Sequence, residues 1–142
     1  MSRPSDHFHP IAVPRHADGL QLVLKQTHGR YASSGHLWQG RYYSCPLGAS
    51  HFWNALRYTE LNPVRAGIVA AAERYPWLSA SAHCRADGVD CAIDAQPWRS
   101  EWTAAGWREF LEAAGAEAES SAIRRSTHSG RPWGSDDFVA KL

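Results

Sequence analysis

Hydrophobic and polar residues alternate along residues 7–13 (HFHPIAV), which predicts a β-strand near the start of the chain. Pro10 lies within this segment and cannot donate a ladder hydrogen bond, so we expect an edge strand or a distorted one. A second segment, residues 36–45 (HLWQGRYYSC), is aromatic and extended in character. Between the two, apolar residues recur at helical spacing and predict a helix, at Leu20, Val23, Leu24 and Tyr31.

Residues 49–61 form the clearest predicted helix. Ser50 is a natural N-cap, and apolar residues follow at steps of three and four. Asn62 precedes Pro63, and a residue in that position is disfavoured in the α conformation, so we expect the helix to end there. A further helical stretch is predicted from Tyr75 to about Cys84.

The second half of the chain has helical periodicity. Residues 85–97 resemble a linker, and helices are predicted over residues 98–114 and 117–128, separated by Gly115. Ser135, followed by two acidic residues, predicts a last short helix. Together these elements predict an α+β chain, with extended segments in its first third and several helices.

Composition limits the class of protein. With 142 residues, 44% of them hydrophobic and 20% charged, the chain is long enough for one folded domain. No apolar run approaches the roughly 18 residues that cross a membrane, and residues 1–10 lack the apolar core of a signal peptide. The three cysteines, an odd number without close metal-binding pairs, indicate reduced thiols and a cytoplasmic protein.

The charges are unevenly distributed. Residues 1–83 hold 8 Lys and Arg against 4 Asp and Glu, whereas residues 84–142 hold 7 against 10. Seven of the eight histidines also fall in the first part. A basic, aromatic front is typical of a protein that binds a polyanion, although an uneven scatter of surface charge gives the same count.

Two pairs of residues carry candidate chemistry. His7 and His9 would point to the same face of a strand and could form half of a divalent metal site; a solvated terminal pair is the alternative. Tyr58 and Asn62 stand four residues apart on the best-predicted helix and so share a face. Taken alone, they are a packed aromatic residue and a helix-capping amide.

Three motifs in succession resemble one family: residues 36–41 (HLWQGR), residues 55–67 (ALRYTELNPVRAG) and residues 75–80 (YPWLSA). Their sequence and order resemble the REP-associated tyrosine transposases of bacteria, which belong to the single-tyrosine HUH endonuclease superfamily. Residues 6–14 (DHFHPIAVP) resemble the HUH segment of that family, and residues 130–142 (GRPWGSDDFVAKL) a segment found late in its members. The resemblance touches most of the chain.

The resemblance implies a fold, a site and a reaction. It implies an incomplete ferredoxin-like domain over residues 1–84, in which a small, only partly present antiparallel sheet packs on several helices. The linker and a helical extension over residues 98–142 follow. It assigns the catalytic nucleophile to Tyr58, and a Mg²⁺ or Mn²⁺ site to His7, His9 and Asn62. The implied activity is cleavage and joining of single-stranded or hairpin DNA through a 5′-phosphotyrosine, with a homodimer left open.

Three arginines near these motifs are candidates for contacts with DNA phosphates, since a guanidinium fork matches phosphate oxygens. They are Arg41, Arg57 and Arg65; for the latter two the alternative is a solvated charge or a pair with Glu60. For Trp38 and Trp77, packing in the core is favoured over stacking on bases.

The chain also departs from the family pattern. The strand and helix that usually precede the HUH strand are absent, and Pro10 replaces an aliphatic residue. An inactive, truncated transposase that retains only DNA or hairpin binding is therefore an alternative hypothesis. A third hypothesis is a zinc-binding interaction module that uses His83, Cys84 and Cys91, although their spacing matches no common zinc pattern.

Overall fold

The computed structural model describes residues 9–32, 43–85, 93–113 and 116–142, and its backbone contacts group into two units, residues 1–44 and 45–142. The described part of the first unit contains helix α1 (Gly19–Ala32). The Leu22 amide donates to the Asp18 carbonyl at 2.9 Å, which begins the helical hydrogen bonding. The helix predicted from apolar spacing in this region is therefore confirmed.

The predicted α+β class, with a ferredoxin-like sheet, is wrong for the part of the chain that the structure describes, which is helical and has no strand. Its β-pairing is confined to an isolated bridge between Leu47 and Trp133. Residues 9–14 have no regular secondary structure, and Pro10 and Pro14 each remove a backbone donor that a ladder would need. The predicted extended residues 36–42, and His7, lie outside the described residues.

The described residues of the second unit form seven α-helices and two single 3₁₀ turns. The 3₁₀ turns are Ala49–His51 and Ala72–Arg74. The helices are α2 (Phe52–Glu60), α3 (Asn62–Arg65), α4 (Ala80–Cys84), α5 (Gln96–Glu101), α6 (Ala104–Glu112), α7 (Ala116–Ser129) and α8 (Asp136–Val139).

Helix α2 begins and ends differently from the prediction. Ser50 is not its N-cap, because the Ser50 hydroxyl hydrogen-bonds His51 Nδ1 at 3.0 Å. At the other end the chain stays helical through Leu61, and Pro63 falls in the first turn of α3, where a missing N–H costs nothing. The Arg65 amide donates to the Leu61 carbonyl at 2.9 Å. This bond spans four residues, as in an α-helix, so helical hydrogen bonding continues from the end of α2 into α3.

The helix predicted over residues 98–114 is two helices. Trp102 is extended, with φ −128° and ψ 147°, and ends α5. Thr103 then caps α6, since its side chain accepts a hydrogen bond from the Gly106 amide at 3.1 Å. The capping threonine therefore interrupts what apolar spacing alone indicated to be one continuous helix.

The core of this unit is aromatic. Trp107 of α6 is fully buried and lies 5.0 Å from Trp102, 5.3 Å from Phe110 and 6.0 Å from Trp53, measured between ring centroids. Leu111 and the small side chains of α4 complete the packing. Helix α7 packs on α2, and α4 packs on α6; Trp53 and Leu56 of α2 also pack against the core.

The last two helices agree with the sequence. Helix α7 covers the predicted residues 117–128, and Ser135 caps α8 by accepting a hydrogen bond from the Phe138 amide at 3.3 Å. Local periodicity and capping chemistry were sufficient to predict both elements.

Candidate functional site

Tyr58 lies near the end of α2, half-buried, where α7 packs against this helix. Arg124 of α7 approaches the Tyr58 hydroxyl, with its Nε atom 3.4 Å from the phenolic oxygen. Because Arg124 is exposed, this contact lies at the surface of the unit. The packing of α2 and α7 therefore brings a cationic side chain to the oxygen predicted to act as the nucleophile.

Arg65 of α3 contacts the same tyrosine from its other side. Its guanidinium carbon lies 4.4 Å from the centre of the Tyr58 ring, a cation–π geometry. The same guanidinium donates to Asn62 Oδ1 at 2.6 Å and to the Tyr58 backbone carbonyl. The predicted site residues Tyr58, Asn62 and Arg65 are thus brought together, and for Tyr58 and Asn62 the four-residue spacing predicted this.

Arg57, the third predicted phosphate contact in this region, is buried. It is 4% exposed, its guanidinium lies 4.8 Å from the centre of the Phe110 ring, and it donates to the Ala113 carbonyl. These contacts join α2 to the end of α6. In this arrangement Arg57 serves packing, and a phosphate contact by it stays a prediction that would require the side chain to leave the core.

Glu60 lies on the side of α2 that faces the core and is fully buried. Its carboxylate accepts hydrogen bonds from the Ser79 hydroxyl at 2.5 Å, from His83 Nδ1 at 2.6 Å and from the Trp107 indole at 2.7 Å. The His83 ring in turn stacks on Trp98, with centroids 4.9 Å apart. Glu60 is therefore held by this buried cluster and not by Arg57 or Arg65.

The metal site predicted from His7, His9 and Asn62 stays a prediction. His7 lies outside the described residues, and His9 belongs to the first unit whereas Asn62 belongs to the second. The side-chain oxygen of Asn62 already accepts from the Arg65 guanidinium, and a cation in that position disfavours a second cation. Among described residues, no three His, Cys, Asp or Glu side chains group as metal ligands do. A Mg²⁺ or Mn²⁺ ion does not fit at Asn62 unless Arg65 moves.

Two residues of the zinc hypothesis, His83 and Cys84, lie in environments that do not favour zinc binding. His83 Nδ1 is bonded to Glu60, and Cys91 lies outside the described residues. Burial, together with the nearby Glu60 and Glu73 carboxylates, raises the pKa of the Cys84 thiol to about 12. Since zinc binds the thiolate, Cys84 is a poor ligand in this environment.

The remaining predicted positions are two tryptophans and Arg41, and the structure adds an arginine that was not predicted. Trp77, for which core packing was favoured, is 82% exposed, so that expectation is wrong. Trp38 and Arg41 lie outside the described residues. Arg124 was not foreseen, although a signal existed: it is one of two adjacent arginines in a half of the chain where acidic residues predominate.

Comparison with protein families, with curated proteins and with solved structures found no match for this chain. Among the helices that the structure describes, none is both long and apolar enough to cross a membrane. What the chain does must therefore be argued from the residues around Tyr58 and from the motifs that contain them.

Proposed function

We propose that this chain is a DNA transposase of the single-tyrosine HUH lineage and that it cleaves single-stranded or hairpin DNA with Tyr58. The observation that carries the proposal is the position of the Tyr58 hydroxyl, 3.4 Å from the Arg124 guanidinium. It adds to the resemblance of residues 55–67, in which Tyr58 and Asn62 match the family's functional positions.

In the proposed reaction, the Tyr58 oxygen replaces the 3′-oxygen on a DNA phosphate. The Tyr58 oxygen attacks a backbone phosphorus, a new P–O bond forms, and the bond from phosphorus to the 3′-oxygen breaks. The phenolic proton passes to solvent, and the departing 3′-oxygen takes up a proton to become a hydroxyl. Because the 5′-phosphotyrosine keeps the energy of the broken bond, another 3′-hydroxyl can attack it and rejoin the DNA.

The charges around Tyr58 suit this chemistry. Negative charge increases on the phosphate oxygens during the attack, and nearby guanidinium groups stabilise it. Binding of Mg²⁺ or Mn²⁺ stays a prediction of the resemblance. Reduced thiols and DNA as the partner together suggest a cytoplasmic protein, and a homodimer stays a prediction.

The test is formation of a covalent adduct. The full chain is incubated with end-labelled, hairpin-forming single-stranded DNA, with Mn²⁺, with Mg²⁺ and with EDTA, and is analysed on a denaturing gel. We expect a protein–DNA adduct that Tyr58→Phe abolishes and that Tyr75→Phe leaves unchanged. If DNA is bound but no adduct forms with any metal, the chain is not a transposase.

The second candidate is a DNA-binding protein that no longer cleaves. Two observations favour it: Asn62 is bonded to Arg65, and the described residues contain no sheet to carry a metal-binding strand. It predicts salt-sensitive binding of hairpin DNA that survives Tyr58→Phe and needs no metal. Absence of binding to structured DNA at low salt would exclude this candidate.

A further inference from the structure

Two guanidinium groups from different helices contact Tyr58. Arg65 of α3 covers the ring at 4.4 Å, and Arg124 of α7 lies 3.4 Å from the hydroxyl. The two arginines are separated by about sixty residues in the chain, and they meet at this tyrosine because α7 packs on α2. Neither local spacing nor the resemblance assigns Arg124 to the site.

The contact between Arg65 and Asn62 concerns the same site. The guanidinium donates at 2.6 Å to the amide oxygen that was predicted to bind a divalent ion. A positively charged group therefore already lies beside the tyrosine, in the position where the resemblance implies a metal. A guanidinium can hold phosphate oxygens by charge and by directed hydrogen bonds, as a metal does by charge and coordination.

We propose that Arg65 and Arg124 hold a DNA phosphate at the Tyr58 hydroxyl without a divalent ion. The inference deepens the proposed function, on which it rests, by naming what binds the phosphate. Arg124 is the outer contact, since it is exposed and is the first of the two that an approaching strand would meet. Arg65 is the inner contact, fixed by its bonds to Asn62 Oδ1 and the Tyr58 carbonyl.

The arrangement predicts competition between arginine and metal. A divalent ion that bound Asn62 Oδ1 would have to displace the Arg65 guanidinium, which also covers the Tyr58 ring. Micromolar to millimolar Mn²⁺ should therefore leave DNA binding unchanged or weaken it. A protein that uses the metal to bind phosphate would show the opposite response.

The experiment measures the affinity of the full chain for a fluorescent hairpin DNA in EDTA, over a range of salt concentrations. Arg124→Gln is compared with Arg125→Gln, which removes the same charge from the neighbouring exposed position of α7. We expect Arg124→Gln to weaken binding by about tenfold, the size of one lost charge-assisted hydrogen bond. The slope of log affinity against log salt should fall by about 1.

Arg124→Lys provides a second variant, since it keeps the charge but loses the fork. We expect it to restore the salt slope and only part of the affinity. Equal losses in Arg124→Gln and Arg125→Gln, or loss of all binding in EDTA, would overturn the proposal. The two proposals can fail independently. If DNA binding depends on Arg124 but no covalent adduct forms, only the transposase proposal is wrong. If the adduct forms equally well in Arg124→Gln, only the present inference is wrong.

Discussion

The two sides of helix α2 differ in how far their charged groups are exposed to solvent. On the side that faces the core, the Glu60 carboxylate is fully buried and receives three hydrogen-bond donors. On the other side, Tyr58 is half-buried and meets Arg65 and the exposed Arg124. A buried charge is tolerated only when its partners are fixed, whereas charges at the surface remain within reach of a ligand.

The helical repeat separates these two sides. Tyr58, Asn62 and Arg65 follow at steps of four and three, and so share one face of α2 and its continuation in α3. Arg57 and Glu60 are three residues apart and share the other, buried face. The comparison therefore predicts that substitutions on the Glu60 side change stability and that substitutions on the Tyr58 side change DNA binding.

The largest effect is expected for Glu60→Ala. Removing the carboxylate leaves the buried His83 and Trp107 donors without their acceptor, and losses of this kind cost about 3–5 kcal/mol. Urea unfolding measures the change. Glu73→Ala is the control, since Glu73 pairs with Arg108 at the surface at 2.9 Å and should cost about 1 kcal/mol or less. Equal losses in the two variants would show that the buried cluster does not stabilise the fold.

A smaller difference in the free energy of unfolding is expected between variants of two buried tryptophans, Trp107 and Trp98. Trp107→Phe removes the indole donor to Glu60 and should cost about 1–3 kcal/mol beyond the change in packing. Trp98→Phe makes the same change in shape, but the Trp98 indole has no acceptor among the described residues, so no hydrogen bond is lost. Chemical denaturation of both variants gives the comparison. The account is contradicted if Trp98→Phe is the more destabilising.

The buried side should also be sensitive to alkaline pH through Cys84. Burial raises the pKa of this thiol from 9.0 to about 12, so the unfolded chain loses its proton first as the pH rises. The free energy of unfolding should therefore fall above pH 9, by up to about 1.4 kcal/mol per pH unit until pH 12. Unfolding of wild type and Cys84→Ala at pH 8.5 and pH 10 isolates this contribution. An identical pH dependence in the two proteins would contradict it.

The smallest effect on stability is expected on the Tyr58 side. Arg124→Gln changes an exposed residue of α7 and should alter the free energy of unfolding by less than about 0.5 kcal/mol. Thermal unfolding measures the stability of Arg124→Gln, and the DNA-binding assay measures its affinity, on the same preparation. If Arg124→Gln unfolds the chain, the two sides of α2 are not separable in function.

The sequence predicted what depends on neighbouring residues. The apolar spacing of α1 and the capping serine of α8 were read correctly, and so was the shared face of Tyr58 and Asn62. It did not predict the break at Thr103, because apolar spacing continues through that cap. The expected sheet was wrong for the described residues, since alternation in residues 7–13 says nothing about whether a partner strand exists.

Contacts between distant residues were beyond prediction. The approach of Arg124 to Tyr58 depends on how α7 packs on α2, and the burial of Glu60 depends on α4 and α6. The residue types of both clusters are evident from the sequence, but which arginine faces solvent is not. Arg57 and Arg65 are equivalent candidates in the sequence. They lie in different environments because the packing of the helices buries Arg57 but leaves Arg65 half-buried beside Tyr58.

The central claim is that Tyr58 is the residue that bonds to DNA. It is tested most directly by mass spectrometry of the adduct, after nuclease trimming and trypsin digestion. Cleavage after Arg57 and Arg65 gives the peptide of residues 58–65, in which Tyr58 is the only tyrosine. The account predicts a nucleotide attached to this peptide. A nucleotide on any other peptide, or bound DNA with no modified peptide, would contradict it.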